Sequence, residues 1–293
     1  MKKNLLMLLL LLILVSCKKD DTPLAAVVET PVVENPEGLL AVYKVLSTGE
    51  LEIIKDDYPT NSVINESYQQ DSAKHLEMWN LVKDIFPEYY LKSLSTLHIF
   101  SAVASESQYT AYVDYDDTDR SNMTLGLAVD FAYFNLFDAQ KYFTTTIIHE
   151  LGHVISFNQD QFNLLPYKFE IGHCDYPFGN EIECLKDDAY LRLFMSEFWS
   201  TDLFIDLDEK DLDTFYNIHT EKFLNIYSAT GPDEDFAETF KQFILRDPAP
   251  SGSTVPEQKI KLLHSIPELV ALRSTLRDKL SDNGSFFISS VYQ

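Results

Sequence analysis

His149-Glu150-Leu151-Gly152-His153 lies inside an apolar run, between Ile147-Ile148 and Val154-Ile155. On an α-helix, residues four apart are separated by about 40° around the axis, so the two imidazoles project from one face and can share a metal ion. Ile148, Leu151 and Ile155 fall on the other side and anchor the helix in a core. Neutral imidazoles suit Zn²⁺, which in catalytic sites takes three protein ligands and leaves a fourth position to water. Glu150 follows the first histidine and points beside the metal, where a carboxylate can take a proton from that water and return it to a leaving amine. With 7 His in 293 residues, H-E-x-x-H arises by chance in roughly one such sequence per hundred, so the motif marks a site.

Gly152 adds to this. A glycine inside a helix costs about 1 kcal/mol relative to alanine, so its presence predicts another element packed close over the backbone. The third ligand is not adjacent: Ser156 and Gln159 stand where a metzincin would carry its glycine and third histidine. Glu170, His173 and Glu234 compete for the role. Glu234 has the strongest context, because Glu234-Asp235-Phe236-Ala237-Glu238 opens a helix after Gly231-Pro232-Asp233 and sets two glutamates on one face. One can bind metal while the other accepts the N–H of a ligating histidine. The spacing alone selects little, since Glu183 with Asp187 and Glu209 with Asp213 share it.

H-E-L-G-H followed at a distance by E-D-F-A-E resembles the gluzincin metallopeptidases, in particular the lethal-factor-like group and the zinc-binding metallopeptidases of bacterial lipoproteins. The resemblance covers roughly residues 120 to 245 and implies a zincin-like fold. It implies that Glu234 binds zinc beside His149 and His153, that Glu238 supports a histidine from the second shell of the site, and that Tyr227, seven residues before the glutamate ligand, stabilises the oxyanion. The segment from Asn158 to Ile226 is longer than in compact members of that group.

The first residues read as a processing signal. Lys2 and Lys3 precede an apolar run from Leu5 to Val15, too short to span a bilayer and suited to the core of a secretory signal. Leu14-Val15-Ser16-Cys17 resembles the lipobox of bacterial lipoproteins, which implies a signal peptide over 1–16 and lipidation of Cys17. Several acyl chains on one residue suffice for stable anchoring. Lys18-Lys19-Asp20-Asp21 resembles the acidic surface-export signals of some Gram-negative lipoproteins, so the expected location is the cell envelope, at the outer membrane and facing outward. Residues 17–37 form a tether broken by Thr22-Pro23, Thr30-Pro31 and Asn35-Pro36. With Cys17 lipidated, Cys174 and Cys184 remain in a compartment that permits disulfides, and a bridge between them is expected; the alternatives are free thiols or soft metal ligands, though the pair lacks the C-x2-C spacing of zinc knuckles.

The formal charge is −23, from 23 Lys plus Arg against 46 Asp plus Glu. Nucleic acid is excluded as a partner, because phosphate contact needs a basic face. The apolar residues, 45% of the chain, are ample for a core. The expected domain runs over 38–293. Its strand-rich part, 38–137, holds a hairpin over 39–54 turning at Thr48-Gly49, a helix over 71–86, strands over 94–100 and 123–131, and a polar loop around Asp114 to Asp119. The strand over 123–131 is either a sheet edge that an extended peptide can join or an interior strand paired on both sides. The helical part, 138–293, holds helices over 138–157, 187–203, 209–227, 234–245 and 257–280. The order is α+β, a mixed sheet with an active-site helix followed by a helical C-terminal half. The expected function is a lipid-anchored zinc metallopeptidase acting on internal bonds of a peptide or protein substrate. The alternatives are a surface binding lipoprotein whose zincin site is degenerate or structural, and a zinc hydrolase acting on a non-peptide amide.

Overall fold

A computed structural model describes residues 38–60, 62–105, 109–116, 119–133, 137–164, 177–178, 183–247 and 249–282. The signal segment, Cys17 and the tether up to residue 37 lie outside the described residues. Strands β1 (Leu39–Val45) and β2 (Leu51–Lys55) pair as the expected antiparallel hairpin. Gly49 takes the left-handed turn position at φ 79°, which a side chain resists, and its N–H donates to Leu46 C=O at 2.8 Å. The turn is tied to the core by the Trp79 indole, which donates to Gly49 C=O at 2.8 Å.

Helices α1 (Val63–Gln70), α2 (Ser72–Ile85) and α3 (Glu88–Leu91) follow. Asp71 caps α2 by accepting from Lys74 N–H at 3.0 Å, and Met78, Trp79, Val82 and Ile85 give it one buried face. With β3 (Leu94–Phe100), β4 (Ala111–Asp116) and β5 (Asp119–Ala128) the sheet has the order β2-β1-β3-β5-β4. Only β3 and β5 run parallel. Much of the expected Asp114–Asp119 loop is therefore strand, because Tyr112, Val113 and Tyr115 suit a pleated surface better than the intervening aspartates oppose it. The strand expected over 123–131 ends at Ala128 and is paired on both sides, which removes it as a sheet edge. Among the described residues the edge on that side is β4.

Helix α4 (Phe137–Phe157) carries the histidine motif and packs against β4, α2 and the later helix over Pro232–Leu245. Its Ile147, Ile148, Leu151, Val154 and Ile155 are fully buried. Strands β6 (Phe162–Leu164), β7 (Pro177–Phe178) and β8 (Glu183–Leu185) make a small antiparallel sheet inside the half expected to be helical. Cys184 in β8 is disulfide-bonded, and Cys174 lies outside the described residues.

The remaining helices are α5 (Tyr190–Phe198), α6 (Thr201–Glu209), α7 (Leu212–His219), α8 (Pro232–Leu245), α9 (Val255–His264) and α10 (Pro267–Asp282). The single helix expected over 187–203 is two, because the Ser200 hydroxyl caps a new start by accepting from Leu203 N–H at 3.3 Å. The one expected over 257–280 also divides, with Pro267 opening its second part. The helix expected over 209–227 stops at His219, and a tight 3-10 turn holds Tyr227–Ala229. The architecture is α+β, a mixed five-stranded sheet with a helical C-terminal half. Among the described residues no helix is long and apolar enough to cross a membrane.

His75 on α2 is wholly buried between two fixed partners. Its Nε2 lies 2.8 Å from Tyr68 C=O and so carries the proton, while Nδ1 accepts from the Tyr43 hydroxyl at 2.8 Å. Burial lowers its pKa, outweighing the Tyr68 carbonyl and Asp71, which favour the cation. The unfolded chain therefore binds a proton first as pH falls through about 6.5, and stability is lost in that direction. Wild-type unfolding free energy, measured in denaturant, is expected to drop between about pH 7 and pH 5, with a flatter slope in His75→Gln.

Candidate metal centre

The centre is built where α8 crosses α4 at backbone contact. A Cβ on Gly152 would meet Ala237 Cα at 3.0 Å and Ala237 Cβ at 3.3 Å, so the glycine admits the second helix as the sequence anticipates. Ala237 lies between Glu234 and Glu238, and the crossing therefore presses both glutamates toward the two histidines. Helix α8 starts sharply at Gly231-Pro232, and Asp233, Glu234 and Asp235 place acidic charge in its first turn, where the helix dipole favours it.

Three atoms converge. His149 Nε2 lies 3.1 Å from His153 Nε2 and 3.0 Å from Glu234 Oε2, and His153 Nε2 lies 3.3 Å from the same oxygen. Ligands held tetrahedrally at about 2.0–2.1 Å from an ion stand roughly 3.3–3.4 Å apart, so the triangle is close to one that a single metal ion would span. Among the described residues this is the cluster that can hold a metal. Glu170 and His173, the competing ligands, lie outside the described residues.

Glu238 sits behind His149. Its Oε1 is 2.9 Å from His149 Nδ1, a close contact although the N–H does not aim straight at the oxygen. A proton held on Nδ1 leaves the Nε2 lone pair facing the site. Lys241 also donates to Oε1, and Asn225 Nδ2 donates to Oε2 at 2.7 Å. Tyr227 donates its hydroxyl to Glu234 Oε1 at 3.0 Å, and its ring lies 5.7 Å from that of His149. Glu150 is buried, and its Oε2 has no hydrogen-bond partner.

The cluster attracts positive charge. Burial opposes the charged form of His149, but Glu234 and Glu238 outweigh it and raise its pKa to about 10. Burial likewise disfavours the Glu238 carboxylate, yet His149 and Lys241 hold its pKa at about 2. Glu234 is held well below the usual carboxylate range, because the two imidazoles outweigh its desolvation. Glu150 moves the other way: burial raises its pKa against the opposing pull of both histidines. Burial and the neighbouring Glu234 charge raise Tyr227, which keeps its proton. Two imidazoles and a carboxylate converging on one point, beside a buried acid with one unpartnered oxygen, fit a divalent metal ion that would replace the proton His149 otherwise holds.

A second set of buried charges holds α8 in place. Asp235 and Lys259 pair with 0% and 1% of their side chains exposed. The Trp199 indole donates to Asp235 at 2.9 Å, and Lys259 donates to Lys222 C=O at 2.6 Å. One buried ion pair thus joins α8 to α9, to the end of α5 and to the turn after α7. Sequence reading missed Asp235, Lys259 and Asn225, which belong to no spaced motif; Lys241, three residues after Glu238 on one helix, was findable from charge spacing.

Glu234→Ala is expected to lose bound metal as completely as His149→Ala, since each removes one corner of the triangle. Metal content after dialysis checks this, and stoichiometric metal in Glu234→Ala would reject its role. No protein-family model matches this chain, and neither the curated proteins nor the solved structures include a significant match to it.

Proposed function

We propose that the protein is a lipid-anchored zinc metallopeptidase with a zincin-like fold, hydrolysing internal peptide bonds. The observation that carries this reading is the convergence of His149, His153 and Glu234 beside a buried, half-unpartnered Glu150. Bound zinc would supply a Lewis acid and a water acidic enough to ionise near neutral pH. Glu150 would accept that water's proton and deliver it to the leaving amine, a transfer suited to a carboxyl whose pKa burial raises. Tyr227 remains an O–H donor beside the ligand carboxylate and can bond an oxyanion there.

The sheet edge supports a peptide as the substrate. The outer side of β4 has no strand partner among the described residues. Thr110, just before β4, reaches the Tyr142 hydroxyl at 3.5 Å, and Tyr142 lies two helical turns before His149 on α4. An extended chain added to β4 would run past the histidine face. A structural zinc site is closed by four protein ligands, whereas three converge here among the described residues, the number a catalytic site uses.

Glu150→Gln is expected to keep stoichiometric zinc and lose roughly 10²–10⁴ in turnover on a peptide library. Tyr227→Phe should also keep zinc while losing roughly 10²–10³. Chelator should abolish wild-type cleavage and zinc restore it; full activity in Glu150→Gln would refute the mechanism, and cleavage confined to non-peptide amides would shift the substrate class. For the anchor, Cys17→Ala should move the protein to the soluble fraction, and retention on membranes after a salt wash would sink lipidation as the means of attachment.

A further inference from the structure

Glu238 is nearly buried and its carboxylate is gripped at both oxygens. The terminal torsion of a glutamate is broad, so nothing within the side chain fixes which way the carboxylate plane faces. Lys241 cannot fix it alone, since its own side chain is 20% exposed and shares Oε1 with His149. Asn225 holds the other oxygen at 2.7 Å, and Asn225 is itself locked. Its Oδ1 accepts from Ser228 N–H at 2.8 Å, its own N–H donates to Ser228 Oγ at 3.2 Å, and Ser228 Oγ donates back to Asn225 C=O at 2.8 Å. A backbone donor on one side and a carboxylate on the other leave one amide orientation that satisfies both.

We propose that Asn225 is a positioning residue that sets metal affinity through Glu238, by holding the carboxylate so that Oε1 faces His149. It rests on the zinc-centre reading above. Tyr227 sits inside the turn that Asn225 and Ser228 close, so the same amide ties the carboxylate behind His149 to the segment presenting the tyrosine.

The test is a mutant cycle on the full chain, read as the zinc dissociation constant in chelator competition and as the visible spectrum of the cobalt-substituted protein. Asn225→Ala is expected to weaken zinc about 10–100-fold and to shift the cobalt bands. In a Glu238→Gln background the same change should cost less than about twofold, since the residue acts through that carboxylate. Asn225→Ser, whose hydroxyl can still accept from Ser228 N–H but falls short of Glu238, should weaken zinc like Asn225→Ala, and it serves if the alanine variant fails to fold. Wild-type affinity in both variants, or an equal loss in both backgrounds, would overturn the proposal. A wild-type protein that binds no stoichiometric zinc would instead refute the zinc-centre reading itself.

Discussion

Everything at the centre depends on how closely two helices approach. Gly152 lets α8 come to within contact of the α4 backbone, and the ligand triangle exists because of that distance. Any side chain at 152 would stand between the helices and move the Glu234 carboxylate away from the imidazoles. The helix-propensity cost of glycine, about 1 kcal/mol, is therefore a local loss offset by a non-local contact.

Buried charge is concentrated on α8 and serves two different ends. Glu234 and Glu238 face the histidines, while Asp235 turns the other way, to Lys259 and Trp199. The Asp235–Lys259 pair is weak evidence for stability, since desolvation of two ions can exceed their attraction. It does fix position: an unpaired charge at either place would be costly, so α8 has few ways to rotate or slide without breaking it. Successive residues of one turn thus present charge to the site and to the scaffold.

What the sequence conveyed followed from periodicity. The α4 helix, the hairpin turning at Gly49 and the helix capped by Asp71 were legible, because each rests on local spacing and a turn or cap residue. Glu234 was legible as the leading candidate through its helix start at Gly231-Pro232. The strand β4 was not, since Asp114 and Asp116 read as loop although they and their neighbours pair with β5. Nor was the interior position of β5, which depends on long-range pairing that local pattern does not encode. The breaks at Ser200 and Pro267 were signalled by a cap residue and a proline, and were outweighed by continuous amphipathic spacing. Asn225 was invisible for another reason: its partners lie three and thirteen residues away, in a turn with no repeating pattern.

The triangle's corners are 85 positions apart in the chain, from His149 to Glu234. An unfolded polypeptide offers an ion only the neighbouring histidine pair, so the complete chelate belongs to the native state alone. An ion bound there would act by mass action on the folding equilibrium, adding about 2.7 kcal/mol when free ion stands a hundredfold above its dissociation constant. An ion that needed all three corners would load only after α8 closes onto α4, and the resistance of the chain to unfolding would then follow the supply of that ion.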